Sequence, residues 1–245
     1  MPLAIGTVGI VLVAYLARRD HHRRLAERKA LLDGAREVLD DADISLGRDG
    51  FPRLDGWWRG RRARVELIPD TLTIRRLPQL WLSVTLAAPD EARTPFAALV
   101  RHGGAEFYAL AHRLSVRLEP PSGLPEEVVL RGTGTASQAS LDRVASALGS
   151  ILSDARVKEV AATRQGVRLI RQAAEGRRGE HVLLRQPVFD AASVSPGELE
   201  SALEALWMLH QPGVACPASA ARVERLGSTS VPVAGQENAE PKVAR

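Results

Sequence analysis

The spacing of apolar positions changes along this chain, and each change marks a different kind of element. Leu3 to Ala17 reads LAIGTVGIVLVAYLA without one charged side chain, and RRDHHRRLAERK follows at once. At about 1.5 Å per residue the apolar run spans about 25 Å, the short limit for a hydrocarbon core of about 30 Å. Arg18 and Arg19 can make up the deficit by snorkelling, with Tyr15 at the interface level. The pattern predicts a transmembrane anchor over residues 1–17. A cleaved signal peptide fits less well, because no basic residue precedes the run and no A-x-A site ends it. A buried element of a soluble fold fits less well beside such a basic wall.

No Pro or Gly interrupts Ile10 to Asp33, so the helix is expected to continue as a juxtamembrane segment over 18–41, with Gly34 its weak point. Leu25, Leu32, Ala35 and Leu39 share one stripe of it, with Leu31 and Val38 alongside. From Phe51 the period becomes that of strands. FPRLDGWW and RRARVELI flank Arg59-Gly60 as a hairpin, and TLTIRRL and QLWLSVTLA continue it. AALVRH and AEFYAL flank Gly103-Gly104 as a second hairpin, and RLSVRLE and EEVVLRG bracket a PPSGLP loop. Together these predict an antiparallel meander of roughly six to eight strands. Helical spacing then runs from Leu141 through Val144, Leu148 and Ile151 to Leu152, with Thr135 and Gln138 as a capping box. VKEVAAT and GVRLIRQA form another hairpin about Arg164-Gln165-Gly166, and HVLLRQPVF reads as a strand. Ser195-Pro196-Gly197-Glu198 is the clearest helix start, with Ser at N-cap, Pro at N1 and Glu at N3. Leu199, Ala202, Leu203, Leu206 and Trp207 line the face that follows.

The expected fold is α+β: an N-terminal transmembrane helix, then a largely antiparallel sheet packed with two amphipathic helices. Residues 42–211 form the α+β domain and are expected to fold without the anchor. Residues 212–245, rich in Pro, Ala, Ser and Gly, form a disordered tail. The stretch FPRLDGWWRGRRARVELIPDTLTIRRLPQLWLSVTL and the strand–helix–hairpin–helix order after it resemble uncharacterised bacterial single-pass membrane proteins of unknown function. The resemblance covers roughly residues 1–210. It implies a membrane-tethered domain and supplies no activity.

Charge sharpens the topology. The net charge is +4, and residues 18–29 alone carry six basic and two acidic side chains, so the remaining chain balances at 27 of each sign. The excess is therefore positional. It predicts a single pass with the C-terminal domain cytoplasmic, and the resemblance implies that the membrane is a bacterial inner membrane. Arg18, Arg19, Arg23 and Arg24 would meet anionic lipid headgroups, and nucleic acid is not expected as a partner. Arginine outnumbers lysine 30 to 3, a uniform skew that coding bias explains. The single cysteine, Cys216, lies in the tail and allows no intrachain disulfide.

No motif carries a reaction. There is no G-x-S-x-G, C-x-x-C or H-E-x-x-H. Asp70, Asp190 and Ser137 lack catalytic surroundings, and Ser195 is explained as a cap. Gly132-Thr133-Gly134-Thr135 lacks the spacing and lysine of a phosphate loop. His21-His22 sit among arginines that would repel a metal ion. His102, Glu106 and His112 are the nearest approach to a ligand set, but Gly103-Gly104 places a turn between the first two, and they read as solvated strand ends. No catalytic residue, metal or cofactor is expected. Trp58 with Arg59, Arg61 and Arg62 is the candidate binding surface, because aromatic faces and guanidinium groups suit phosphate or headgroups. Adjacent Trp57 and Trp58 must point to opposite faces of a strand. The expected function is a membrane-anchored, non-enzymatic module that binds an unknown protein partner or assembles. The alternatives are a membrane-associated enzyme with a dispersed site and a binder of lipid or anionic surfaces.

Overall fold

A computed structural model describes residues 2–72, 77–177, 189 and 193–210, with side chains from Leu12 onward. Among them the chain forms three α-helices and nine strands. All nine belong to one antiparallel sheet, so the α+β class holds. The expected tail at 212–245 lies outside the described residues, as do 73–76 of TLTIRRL and all of HVLLRQPVF except Phe189, which bridges to Gly176.

Helix α1 runs from Pro2 to Lys29. Among the described residues no helix is long and apolar enough to cross a membrane. Most of the apolar run read as an anchor lies where only the backbone is described. The expected continuation to Asp41 is corrected. The helix gives way to 3-10 turns at Ala30–Leu32 and Gly34–Val38, and strand β1 begins at Asp40 and ends at Leu46. The reason is burial. Leu32, Ala35 and Leu39 of the expected stripe dock on the domain and enter its core, and the Val194 N–H donates to Leu31 O at 2.9 Å.

Strands β2 (Pro52–Trp58) and β3 (Arg61–Asp70) form the first expected hairpin. Arg59 and Gly60 both take positive φ, 48° and 71°, which is the two-residue geometry that matches strand twist. Strand β4 (Gln79–Ala87) completes a four-strand meander. The order then departs from the meander expected: β1-β2-β3-β4-β9-β8-β5-β7-β6. Here β5 is Phe96–Val100, β6 Val116–Arg117, β7 Val128–Gly132, β8 Val157–Ala162 and β9 Gly166–Glu175.

Helices α2 (Ala136–Leu152) and α3 (Pro196–His210) bury their apolar stripes on one face of the sheet. Ser195 and Glu198 cap α3 reciprocally: the Glu198 N–H donates to Ser195 Oγ at 3.2 Å, and the Ser195 N–H donates to Glu198 Oε2 at 3.3 Å. The box expected at Thr135 is corrected, since Thr135 makes no side-chain cap. Gln138 instead binds the Glu119 backbone through both its amide atoms, each at 3.1 Å.

The hairpin expected at Gly103-Gly104 is also corrected. Residues 105–109 form no strand. They lead into a 3-10 turn at Leu110–Arg113 that crosses the other sheet face. Tyr108, Ala109, Ala111 and Leu114 there cover Trp81, Ala97, Leu99, Ala161 and Ile170. Central strands whose two faces are both apolar need cover on both sides, and this segment supplies it.

One turn is sterically closed. A Cβ at Gly166 would meet Leu86 O and lie 3.0 Å from Ala88 N and 3.1 Å from Ala87 Cα, all backbone atoms. Gly166→Ala is expected to cost at least about 1–3 kcal/mol by overpacking. Gly60→Ala, which meets nothing within 4 Å, is expected to cost about 1 kcal/mol through its positive φ alone. Chemical denaturation of the two variants checks the order, and a milder effect at Gly166 would contradict the β4–β9 register.

Candidate functional site

The aromatic–arginine surface survives only in part. Trp58, named in the candidate surface, is the buried member of the pair and Trp57 the exposed one, at 7% and 42%. Trp58 packs edge-on against Trp207 of α3, with ring centroids 5.8 Å apart. Arg59 stacks over Trp58 at 4.4 Å and forks onto Glu204 of α3 through both guanidinium nitrogens. Arg61 lies 5.6 Å from the Trp207 ring. These residues clamp the β2–β3 turn to α3. Of the four expected members, Arg62 alone, over Trp57 at 5.8 Å, keeps the aromatic–cation character on the outer face.

A second cluster lies on the opposite side of the sheet, and it corrects the expectation that His102, Glu106 and His112 are solvated strand ends, since Glu106 is buried and lies in no strand. The segment from β5 to the 3-10 turn carries His102, Glu106 and His112, whose ligand atoms all fall within 4.8 Å of one another. The two imidazoles are exposed, and their ring centroids are 5.4 Å apart at 60°. Glu106 is buried between them and the sheet. Its Oε1 accepts the Gly103 N–H at 2.8 Å and faces Lys158 Nζ at 2.9 Å. Its Oε2 is buried without a hydrogen bond and lies 3.8 Å from His112 Nε2. Burial alone would push this carboxyl up. The Lys158 ammonium and the Gly103 N–H outweigh that and hold it at about 2.

Beside it, Glu159 is fully buried. It accepts the Ala111 N–H at 2.9 Å and pairs with Arg168 at 2.5 Å, while Arg168 also donates to Tyr108 O at 3.1 Å. Lys158 further donates to Arg101 O at 2.5 Å. Strand β8 thus sends two adjacent charges into the interior, and each binds the crossing segment. The signal is visible in VKEVAA, a Lys-Glu pair inside an apolar strand, because buried charges occur almost only when paired. Lys158 is also one of only three lysines, a compact ammonium where a guanidinium would be the common choice in this chain.

A third group lines a shallow cleft between α2, α3 and the residues after β4. Arg93, Arg143, Ser140, Asp90 and His210 face it. Arg93 is spent on structure: it donates to Ala88 O at 3.0 Å, to Thr163 O at 3.1 Å and to His210 Nδ1 at 2.9 Å. Burial first, and then Arg61 and Arg93, push the His210 imidazole below its ordinary range, so it stays neutral as acceptor.

On α1, every described side chain from Leu12 to Arg24 is exposed. Leu12, Val13, Tyr15 and Leu16 are 55%, 67%, 61% and 49% exposed. Arg24 pairs with Asp20 at 2.7 Å and Arg23 with Glu27 at 2.9 Å, each one helical turn apart, so both acids of the basic block are engaged. Arg18 and Arg19 stand exposed at the junction with the apolar run. Further on, Arg28 stacks over Phe51 at 4.6 Å and seats the end of the helix on the domain.

No family model, curated protein or solved structure matches this chain.

Proposed function

We propose that the chain is a membrane-tethered α+β domain that holds or assembles a partner at the membrane face and performs no reaction of its own. The observation that carries the tether is α1. Leu12, Val13, Ala14, Tyr15 and Leu16 are consecutive and all exposed, so at about 100° per residue they present apolar surface on every side of the helix. A helix apolar all round is one that is surrounded, and a bilayer surrounds it without further protein. The basic block beside it orients the domain toward the cytoplasm of a bacterial inner membrane. Each exposed Arg or Lys there adds about 1 kcal/mol of attraction to anionic lipid. For the partner, exposed Trp57 with Arg62 on the outer face of β2–β3 offers an aromatic anchor of the kind that interfaces use. The membrane-associated enzyme is the second reading, and the convergence of His102, Glu106 and His112 favours it.

The test is the full-length chain expressed in bacteria. It is expected to stay in the membrane fraction through high-salt and alkaline washes, with a reporter after Gln211 cytoplasmic. Replacing Arg18, Arg19, Arg23 and Arg24 with Gln is expected to mix the orientation while leaving attachment intact, since apolar burial holds the helix. Release of the wild-type chain by salt alone would reduce α1 to a peripheral contact.

A further inference from the structure

The geometry points to a binding site for one divalent first-row transition metal ion, with Zn2+ the ion that suits it, at His102, Glu106 and His112. The inference stands apart from the membrane reading and uses none of its residues. Two imidazoles and one carboxylate converge within 4.8 Å. That donor set suits borderline ions; Mg2+ and Ca2+ call for a shell of oxygens, and Cu(I) for sulfur. Three protein ligands with a fourth position left to water is the open form of a zinc site. Both imidazoles are exposed, so an ion can enter from solvent.

The carboxylate makes the cluster more than a chance meeting of side chains. Glu106 is buried and fixed by way of one oxygen only. Oε1 takes both the Gly103 N–H and the Lys158 ammonium. Oε2, with no hydrogen bond, lies on the side of His112. A buried carboxylate oxygen without a donor is costly to keep. A metal ion would satisfy it, and the partners on Oε1 are the outer hydrogen bonds that ligating carboxylates carry.

Metal–ligand bonds of about 2.0–2.2 Å require the donors to draw closer than they now stand. The movement falls to His102 and His112, whose exposed rings can rotate, and Gly103-Gly104 lies between His102 and the fixed glutamate. The Lys158 charge opposes a cation but acts across the far oxygen. Arg101, next to His102 in the chain, is tied to Ala155 O at 2.6 Å and Val157 O at 2.7 Å.

The test uses the full-length protein in detergent micelles, stripped with a chelator and titrated calorimetrically with Zn2+ alone. A parallel titration with Co2+ reads the visible bands of a four- or five-coordinate site. One saturable ion per chain is expected, with a rise in melting temperature. His102→Ala and His112→Ala should each weaken it by about 100-fold or more, beyond the ~10–100-fold that outer-shell changes cost. Both rings are exposed, so these variants keep the fold. The double variant His21→Ala/His22→Ala, which removes the other paired imidazoles, should bind as the wild type does. Loss of binding in that double variant, equal binding in His112→Ala, or no saturable binding in the wild type would each overturn the site.

Discussion

Glu106→Gln is expected to remove about 3–5 kcal/mol of folding stability, because it leaves the Lys158 ammonium buried without its counter-charge. That is a large share of the roughly 5–15 kcal/mol by which domains are stable. The wild-type carboxyl sits at about 2 in the folded chain against an ordinary 4.5. A depressed acid stabilises the fold fully above its unfolded value and loses that contribution as pH falls through its folded value. The wild type should therefore weaken between about pH 4.5 and pH 2, by roughly 3 kcal/mol. Glu106→Gln should be flatter over that window. Adding Lys158→Met should restore part of the loss, since a buried pair replaced as a unit costs less than either half. Equilibrium unfolding of the single and double variants across this range is the check. Additive losses would show that Glu106 and Lys158 are not coupled.

The second large effect concerns where the folded domain begins. A chain starting at Ala30 is expected to unfold cooperatively, and one starting at Ala42 to be molten. The difference removes Leu32, Ala35 and Leu39 from the core and the first residues of β1 from their pairing with β2. Two buried leucines alone are worth about 2–5 kcal/mol each on truncation to alanine, which approaches the whole stability of a domain. This replaces the expectation that residues 42–211 fold unaided. Leu32→Ala in the full chain gives the same answer without a deletion, as a loss of about 2–5 kcal/mol. A sharp thermal transition in the chain from Ala42 would contradict the assignment.

What is legible in the sequence is local. The Arg59-Gly60 and Arg164–Gly166 turns join strands that pair with each other, and Ser195 to Glu198 caps a helix through neighbours three residues apart. Strand β1 is hidden because DDADISL carries three acids and a mixed period, and it pairs only because β2 offers an edge. The segment 101–115 reads as a hairpin because Gly103-Gly104 has turn chemistry, whereas its conformation answers to the bare sheet face beneath it. The same long-range packing brings His102, Glu106 and His112 together. The sequence names these three as the nearest approach to a ligand set, but Gly103-Gly104 breaks the helical spacing of His102 and Glu106, so their meeting is not legible there, and the charges inside β8 are the further hint. Trp57 and Trp58 show the limit of alternation: it requires opposite faces and leaves open which one α3 will cover.

The tether is the central claim, and the depth of α1 in lipid tests it most directly. In a Cys216→Ser background, Val13→Cys places a single thiol on α1. Ser146→Cys, at an exposed position of α2, places one on the domain as the control. Each variant is labelled with an environment-sensitive fluorophore and reconstituted in liposomes. Lipids brominated along their acyl chains should quench the label at position 13 strongly and leave the label at position 146 unaffected. Equal, water-like emission at both positions, untouched by brominated lipid, would show that α1 lies outside the bilayer and contradict the tether.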